Sequence, residues 1–230
     1  LDLFSQNPMQ GQLLIGVLLT GIISLVIFGG IRRIGQVAAR LVPAMVLLYM
    51  FCGLFIILGN IANLDDIFLL IIKDAFTGHA VAGGTLGTVM ITGIRRAAFS
   101  NEAGIGTESM AHGAAITKEP VREGLVAMLG PMIDTLLVCS VTGFAILSTG
   151  VWTDSTLNGI SMTSAAFKEG LPFMGETMLL IIVSIFSITT IIGYSYYGSK
   201  CMAFLFGNKW KQPYRVIYAL SLIPAAVISI

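Results

Sequence analysis

The chain has 230 residues, 56% of them hydrophobic and only 11% charged, with a formal net charge of +1. Soluble domains carry about 25% charged residues, so a water-facing surface for this chain would be too apolar, and a lipid bilayer suits its outward faces. The near-zero charge removes any electrostatic case for nucleic-acid binding.

Leu1 opens the chain and Ile230 closes it inside an apolar run, so it reads as a piece of a longer protein. A spanning helix needs about 20 mostly apolar residues. Residues 12–30, 41–59, 124–150, 177–206 and 214–230 approach this, the last being cut short. Residues 65–76 are apolar but short, which suits an interfacial or re-entrant helix. Between 78 and 115 the chain is rich in glycine and also holds Arg95, Arg96, Asn101, Glu102 and Glu108. Lipid does not tolerate such groups facing outward, so this stretch belongs against protein or a wet cavity. The pattern predicts a re-entrant part near 67–93 and a polar helix over 94–116. Cys52, Cys139 and Cys201 sit in separate apolar runs without metal-ligand spacing and read as small hydrophobes.

Basic residues set the orientation. Arg32, Arg33 and Arg40 are expected in a loop between the first two spans. Lys118 and Arg122 precede the 124–150 span, and Lys209, Lys211 and Arg215 precede the last. One crossing over 94–116 puts all three clusters on one side, the cytoplasm. Lys73 and Lys168 fall outside it, and Arg95 and Arg96 then face the outer mouth. A crossing over 81–93 instead puts those two arginines inside, and both placements stay open. No repeat is visible within the chain, but a five-helix block is the repeat unit of many inverted-repeat transporters.

The densest polar signal is Phe99-Ser100-Asn101-Glu102-Ala103-Gly104-Ile105-Gly106-Thr107. Polar groups at membrane depth are costly and usually serve a pathway or each other. Glycine lets a helix unwind, and freed carbonyls with hydroxyls such as Thr107 are hard oxygen donors suited to a small cation. The competing reading is a helix-packing seam of small residues. A second signal is Ser184, Ser187, Thr190 and Tyr194, whose spacings of three and four put them on one helix face. That stripe suits a pore-lining helix, or hydroxyls bonded back to their own helix. Asp134 follows a Gly130-Pro131 pair by four and three residues. It reads as a coupling carboxylate or as a structural hydrogen-bonding group. His79 and His112 fall near predicted membrane edges, and Glu108 and Glu119 read as surface or gate charges.

The run Gly93-Ile94-Arg95-Arg96-Ala97-Ala98-Phe99-Ser100-Asn101-Glu102-Ala103-Gly104 resembles the signature of the alanine-or-glycine:cation symporter family, which usually has Arg-Gly at Arg96-Ala97. Gly30-Ile31-Arg32-Arg33-Ile34-Gly35, Val42-Pro43-Ala44-Met45, Asp74-Ala75-Phe76 with Gly83-Gly84, and Ile133-Asp134-Thr135 are similar to family stretches in the same order. The resemblance runs from about residue 12 to 207. It implies an all-α membrane protein with a leucine-transporter-like fold of two inverted five-helix repeats. This chain would hold the second repeat, over about 1–207, and the start of a further helix, over 214–230, in one transmembrane domain. The first repeat, as a missing N-terminal half, would be a partner in the site.

The resemblance also implies roles. Residues 65–76 would belong to the extracellular gate loop. The helix through 99–107 would be the eighth and would help form a sodium site, with Glu102, Ala103, Gly106 and Thr107 in cation binding or gating. Phe99, Ser100, Asn101, Thr190 and Tyr194 would face the substrate. The run Thr190-Ile191-Ile192-Gly193-Tyr194-Ser195-Tyr196-Tyr197-Gly198 resembles the family's tenth-helix motif, where Trp usually stands at Tyr194 and Glu at Ser199. The implied function is sodium-coupled symport of alanine or glycine across the cytoplasmic membrane by a multi-pass protein that is not an enzyme. The alternatives weighed are a channel or sensor on a transporter fold, and a membrane-embedded enzyme using His112 as a base.

Overall fold

The computed structural model describes residues 8–76, 91, 93–95, 98, 100, 102 and 104–228. Among the described residues the secondary structure is entirely helical. In chain order the helices are α1 (Pro8–Ile27), α2 (Gly30–Gly59), α3 (Leu64–Phe76), α4 (Glu108–His112), α5 (Pro120–Ile133), α6 (Ser140–Thr149), α7 (Ile160–Gly170), α8 (Gly175–Phe206) and α9 (Lys211–Val227). A π-helical segment, Asp134–Cys139, joins α5 to α6 without a break in the rod. Four helices are long and apolar enough to cross a membrane: Gln10–Ile27, Gly30–Gly59, Pro120–Thr149 and Gly175–Phe206. α9 has 17 residues, with Pro224 inside.

Two expectations from the sequence are corrected here. Arg32, Arg33 and Arg40 do not lie in a loop, because α2 is helical from Gly30 onward and the expected 41–59 span is only its later part. Phe28 and Gly29 form the turn, Gly30 follows at φ 71°, and Arg33 Nη1 donates to the Leu25 carbonyl at 3.0 Å. Arginine can extend a helix because its long stem carries the charge away from the axis. The second correction concerns the polar helix over 94–116. Residues 93–95, 98 and 100 are helical, but residues 104–106 form a turn and α4 is only five residues long. Glu102 at φ 61° and Gly106 at φ 79° break the helix, since left-handed backbone cannot continue a right-handed helix.

The chain divides into two compact units, one of residues 1–43 with 184–230 and the other of 44–183. In the first, α1 packs along α9, and a side chain at Gly16 would meet the Ala226 methyl at 2.9 Å. Small residues let membrane helices approach this closely. Tyr218 of α9 donates its hydroxyl to the Ile191 carbonyl of α8 at 2.8 Å. Gly198 of α8 leaves the space that the Tyr214 phenol fills.

The second unit has its core around Cys52, Ile56, Ala145, Phe167 and Leu179. Phe167 comes from α7, a short helix that the sequence reading did not anticipate. Its ring stacks on Tyr49 with centroids 5.6 Å apart. The Tyr49 hydroxyl pairs with Thr142 Oγ1, which bonds back to the Val138 carbonyl at 2.7 Å. Gly53 and Gly170 leave room for Val141 and Ile56. Gly150, at φ 74°, ends α6 in the left-handed cap typical of glycine. The following turn is held by Asp154 Oδ1, which accepts from the Thr156 hydroxyl and amide at 2.7 and 2.9 Å. These bonds hold the exposed Asp154 carboxyl below its ordinary range. α3 has Asp65 and Asp66 in its first turn and Lys73 in its last, charges placed to favour the helix dipole. It lies against α6 with Ile67 buried.

Candidate functional site

The polar motif forms a broken segment. Ser100 lies in the helical part before the break. Its hydroxyl donates to Asp134 Oδ2 at 2.6 Å, so two residues singled out separately in the sequence meet. Phe99, Asn101 and Ala103 lie outside the described residues. Past the break, the amides of Ile105 and Gly106 donate to the Glu102 carbonyl at 3.2 and 2.9 Å. Thr107 Oγ1 donates to Glu102 Oε2 at 2.9 Å. Ser109 Oγ donates to the Gly106 carbonyl at 2.7 Å. Glu102 therefore has its carbonyl engaged within the turn, while its carboxylate and the Thr107 oxygen form a compact pair. A carboxylate and a hydroxyl are hard donors of the kind a small cation uses.

Next to this turn lies a cavity of about 520 Å³ whose lining includes Gly106, Glu108, His112, Thr117 and Glu123. His112 Nδ1 bonds to Glu123 Oε1 at 2.7 Å, and Nε2 sits 3.6 Å from Glu108 Oε1. A side chain at Gly130 would come within 3.2 Å of Glu108 Oε1, so the missing Cβ gives this carboxylate its place beside α5. Glu108 and His112 are thus part of a partly buried cluster, not isolated surface charges. The pairing of His112 with Glu123 was missed in the sequence. Its one trace there was the spacing of four between Glu108 and His112.

On α8 the polar stripe is real as geometry. Ser184, Ser187 and Tyr194 are exposed and Thr190 is half-buried, while Ser195, Tyr196 and Ser199 are buried on another face. Thr189 and Ser195, which lie off the stripe, bond back to their own helix. Thr189 donates to the Ile185 carbonyl at 3.0 Å and Ser195 to the Ile192 carbonyl at 2.6 Å. Tyr194 meets Tyr197 edge to face at 5.7 Å. Thr190 and Tyr194 belong to one compact unit and residues 100–123 to the other.

Long apolar helices, one containing a π turn, and a glycine-broken polar segment define a multi-pass membrane protein. The sodium:alanine symporter family matches residues 2–230, and the chain belongs to that family, a family of transporters and not enzymes. It is 37% identical, over 95% of its length and 49% of the relative's, to a sodium/alanine symporter of Methanococcus maripaludis. It is 36% identical, over 87% of its length and 42% of the relative's, to a probable sodium/glutamine symporter of Bacillus subtilis. A sodium/proton-dependent alanine carrier protein of Bacillus sp. strain PS3 is 33% identical, over 96% of the chain and 53% of the relative. The chain spans about half the length of the curated relatives it matches.

Proposed function

We propose that this chain forms part of the transport path of a symporter that moves a small neutral amino acid, alanine or glycine, together with sodium. The observation that carries this reading is the break at Glu102–Thr107 within the family's own signature. There a carboxylate, a hydroxyl and unwound backbone gather in an otherwise apolar chain. Unwound helix with oxygen donors is the usual form of a cation site at the interface of transporter repeats. The Thr107 hydroxyl spends its proton on Glu102 and keeps lone pairs for a cation. The names of the relatives support an amino acid as cargo, with alanine in two and glutamine in one. On this reading Ser100, Thr190 and Tyr194 face the substrate with Phe99 and Asn101, and Glu102, Gly106 and Thr107 serve the cation with Ala103. Tyr194, where the family usually has Trp, reshapes the apolar wall of that site and adds a hydroxyl. Two inverted five-helix repeats of a leucine-transporter-like fold would supply the frame.

Sodium drives accumulation only if it binds one state of the protein better than another. The experiment is uptake of labelled alanine by the native protein in vesicles, with and without an inward sodium gradient. Accumulation that follows the gradient is expected. Uptake that ignores sodium removes the coupling, and no uptake of alanine, glycine or glutamine removes the reading altogether.

A further inference from the structure

Asp134 stands at one end of the π-helical segment and Cys139 at the other, five residues apart. In an α-helix, residues five apart point to well-separated faces. A π turn closes its hydrogen bond from i to i+5, so it brings the two onto one side. Ser100 donates its hydroxyl to the Asp134 end of this segment, to Oδ2 at 2.6 Å. Pro131 lies just before this segment, and the Asp134 amide reaches back to the Gly130 and Pro131 carbonyls. The sequence thus spends a proline and a helical irregularity to aim one carboxylate at one hydroxyl. The carboxylate sits within a 30-residue apolar rod, Pro120–Thr149, where an ionisable group without a purpose is disfavoured. A hydroxyl bonded to a charged acceptor is held more firmly than one bonded to a neutral one.

We infer that Asp134 is a positioning residue that anchors Ser100, and with it the substrate-facing segment, to the π turn of the α5–α6 rod. This rests on the reading of residues 99–101 as part of the substrate site. The anchor acts on substrate affinity: without it, Ser100 loses its fixed place against the rod. Gly106, Glu108 and Glu123 belong to the neighbouring cavity, so the anchor is separate from the His112 cluster.

A double-mutant cycle on the native protein tests it, with S100A, D134A and the pair, read as KM and maximal rate of alanine uptake. Each single change is expected to raise KM by about tenfold, the scale of one hydrogen bond to a charged group. The pair should be no worse than either single. S100T, which keeps the hydroxyl, should return KM to within about twofold of the unmodified protein, the scatter expected of independent effects. Multiplying KM effects in the pair, or a loss in S100T as large as in S100A, overturns the anchor. If D134A fails to reach the membrane, D134N decides in its place. It keeps an acceptor oxygen without the charge, and it should raise KM less than S100A does. An effect on maximal rate alone also overturns the inference. Absence of uptake by the unmodified protein is a separate result, which counts against the transport reading itself.

Discussion

Thr190 and Ser195 lie five residues apart on α8 and meet different surroundings. Thr190 is half-buried on the stripe with Ser187 and Tyr194, whereas Ser195 is 1% exposed and spends its proton on the Ile192 carbonyl. If the stripe faces substrate, T190A removes a contact, and KM for alanine should rise about five- to tenfold with protein level unchanged, as for one lost hydrogen bond. S195A removes a back-bond that its own helix does not need, so it should leave KM near its starting value. Equal effects in concentration-dependent uptake assays would discard the stripe as a substrate face. At this scale the sequence was informative about type and poor on partners. The Ser100-Asn101-Glu102 motif, the stripe and Asp134 were all visible, because polar residues stand out in an apolar chain. That Ser100 meets Asp134 was not visible, since 34 residues separate them and only the tertiary fold closes that distance. His112 and Glu123 are eleven apart, a separation of about 16 Å along a continuous helix, and the turn after α4 brings them together.

The elements show why long helices are easier to read than their ends. Apolar length alone located α1, α8, α9 and the α5–α6 rod, because the bilayer fixes how long a span must be. It did not reveal that α2 begins at Gly30, since arginines at a membrane edge read as a loop whether or not they are helical. Nor did it reveal α7, whose 11 residues are of mixed polarity and are decided by what Phe167 packs against. The junction from α7 to α8 tests that packing. Gly175 donates its amide to the Leu171 carbonyl at 2.8 Å, and a Cβ there would collide with the Phe167 carbonyl. The obstacle is backbone, which cannot swing aside as a side-chain tip does. Gly175→Ala should therefore cost about 1–3 kcal/mol, the range for overpacking. Gly193→Ala on the same helix has open space and should be neutral, or stabilising by up to about 1 kcal/mol from helix propensity. Thermal unfolding of the detergent-solubilised protein separates the two, and a Gly175→Ala protein as stable as Gly193→Ala would show that the junction is free to shift.

For the whole molecule, the strongest constraint is the distribution of basic residues against the spans. The turn between α1 and α2 is followed by Arg32, Arg33 and Arg40, the start of α5 is flanked by Lys118 and Arg122, and the end of α8 is followed by Lys209, Lys211 and Arg215. The connection from α6 to α8 carries Lys168 with Asp154 and Glu169, and Glu176 follows in the first turn of α8. Positively charged loops stay cytoplasmic. If the α5–α6 rod and α8 each cross once, as their length and composition allow, the rod start and the α8 end are expected on the side opposite the Gly150–Gly175 connection. Placing Arg32, Arg33 and Arg40 inside α2 leaves this intact, because they remain within its first three turns, before the apolar run that begins at Leu41. Single cysteines in a background with Cys52, Cys139 and Cys201 replaced provide the measurement. T156C should react with an impermeant maleimide added outside intact cells, and K209C only after the membrane is opened. Thr156 is a suitable position because its turn is exposed, and Lys209 because it follows the left-handed Gly207 that ends α8. Labelling of both from outside would mean that α8 does not span, and labelling of K209C alone from outside would invert the molecule.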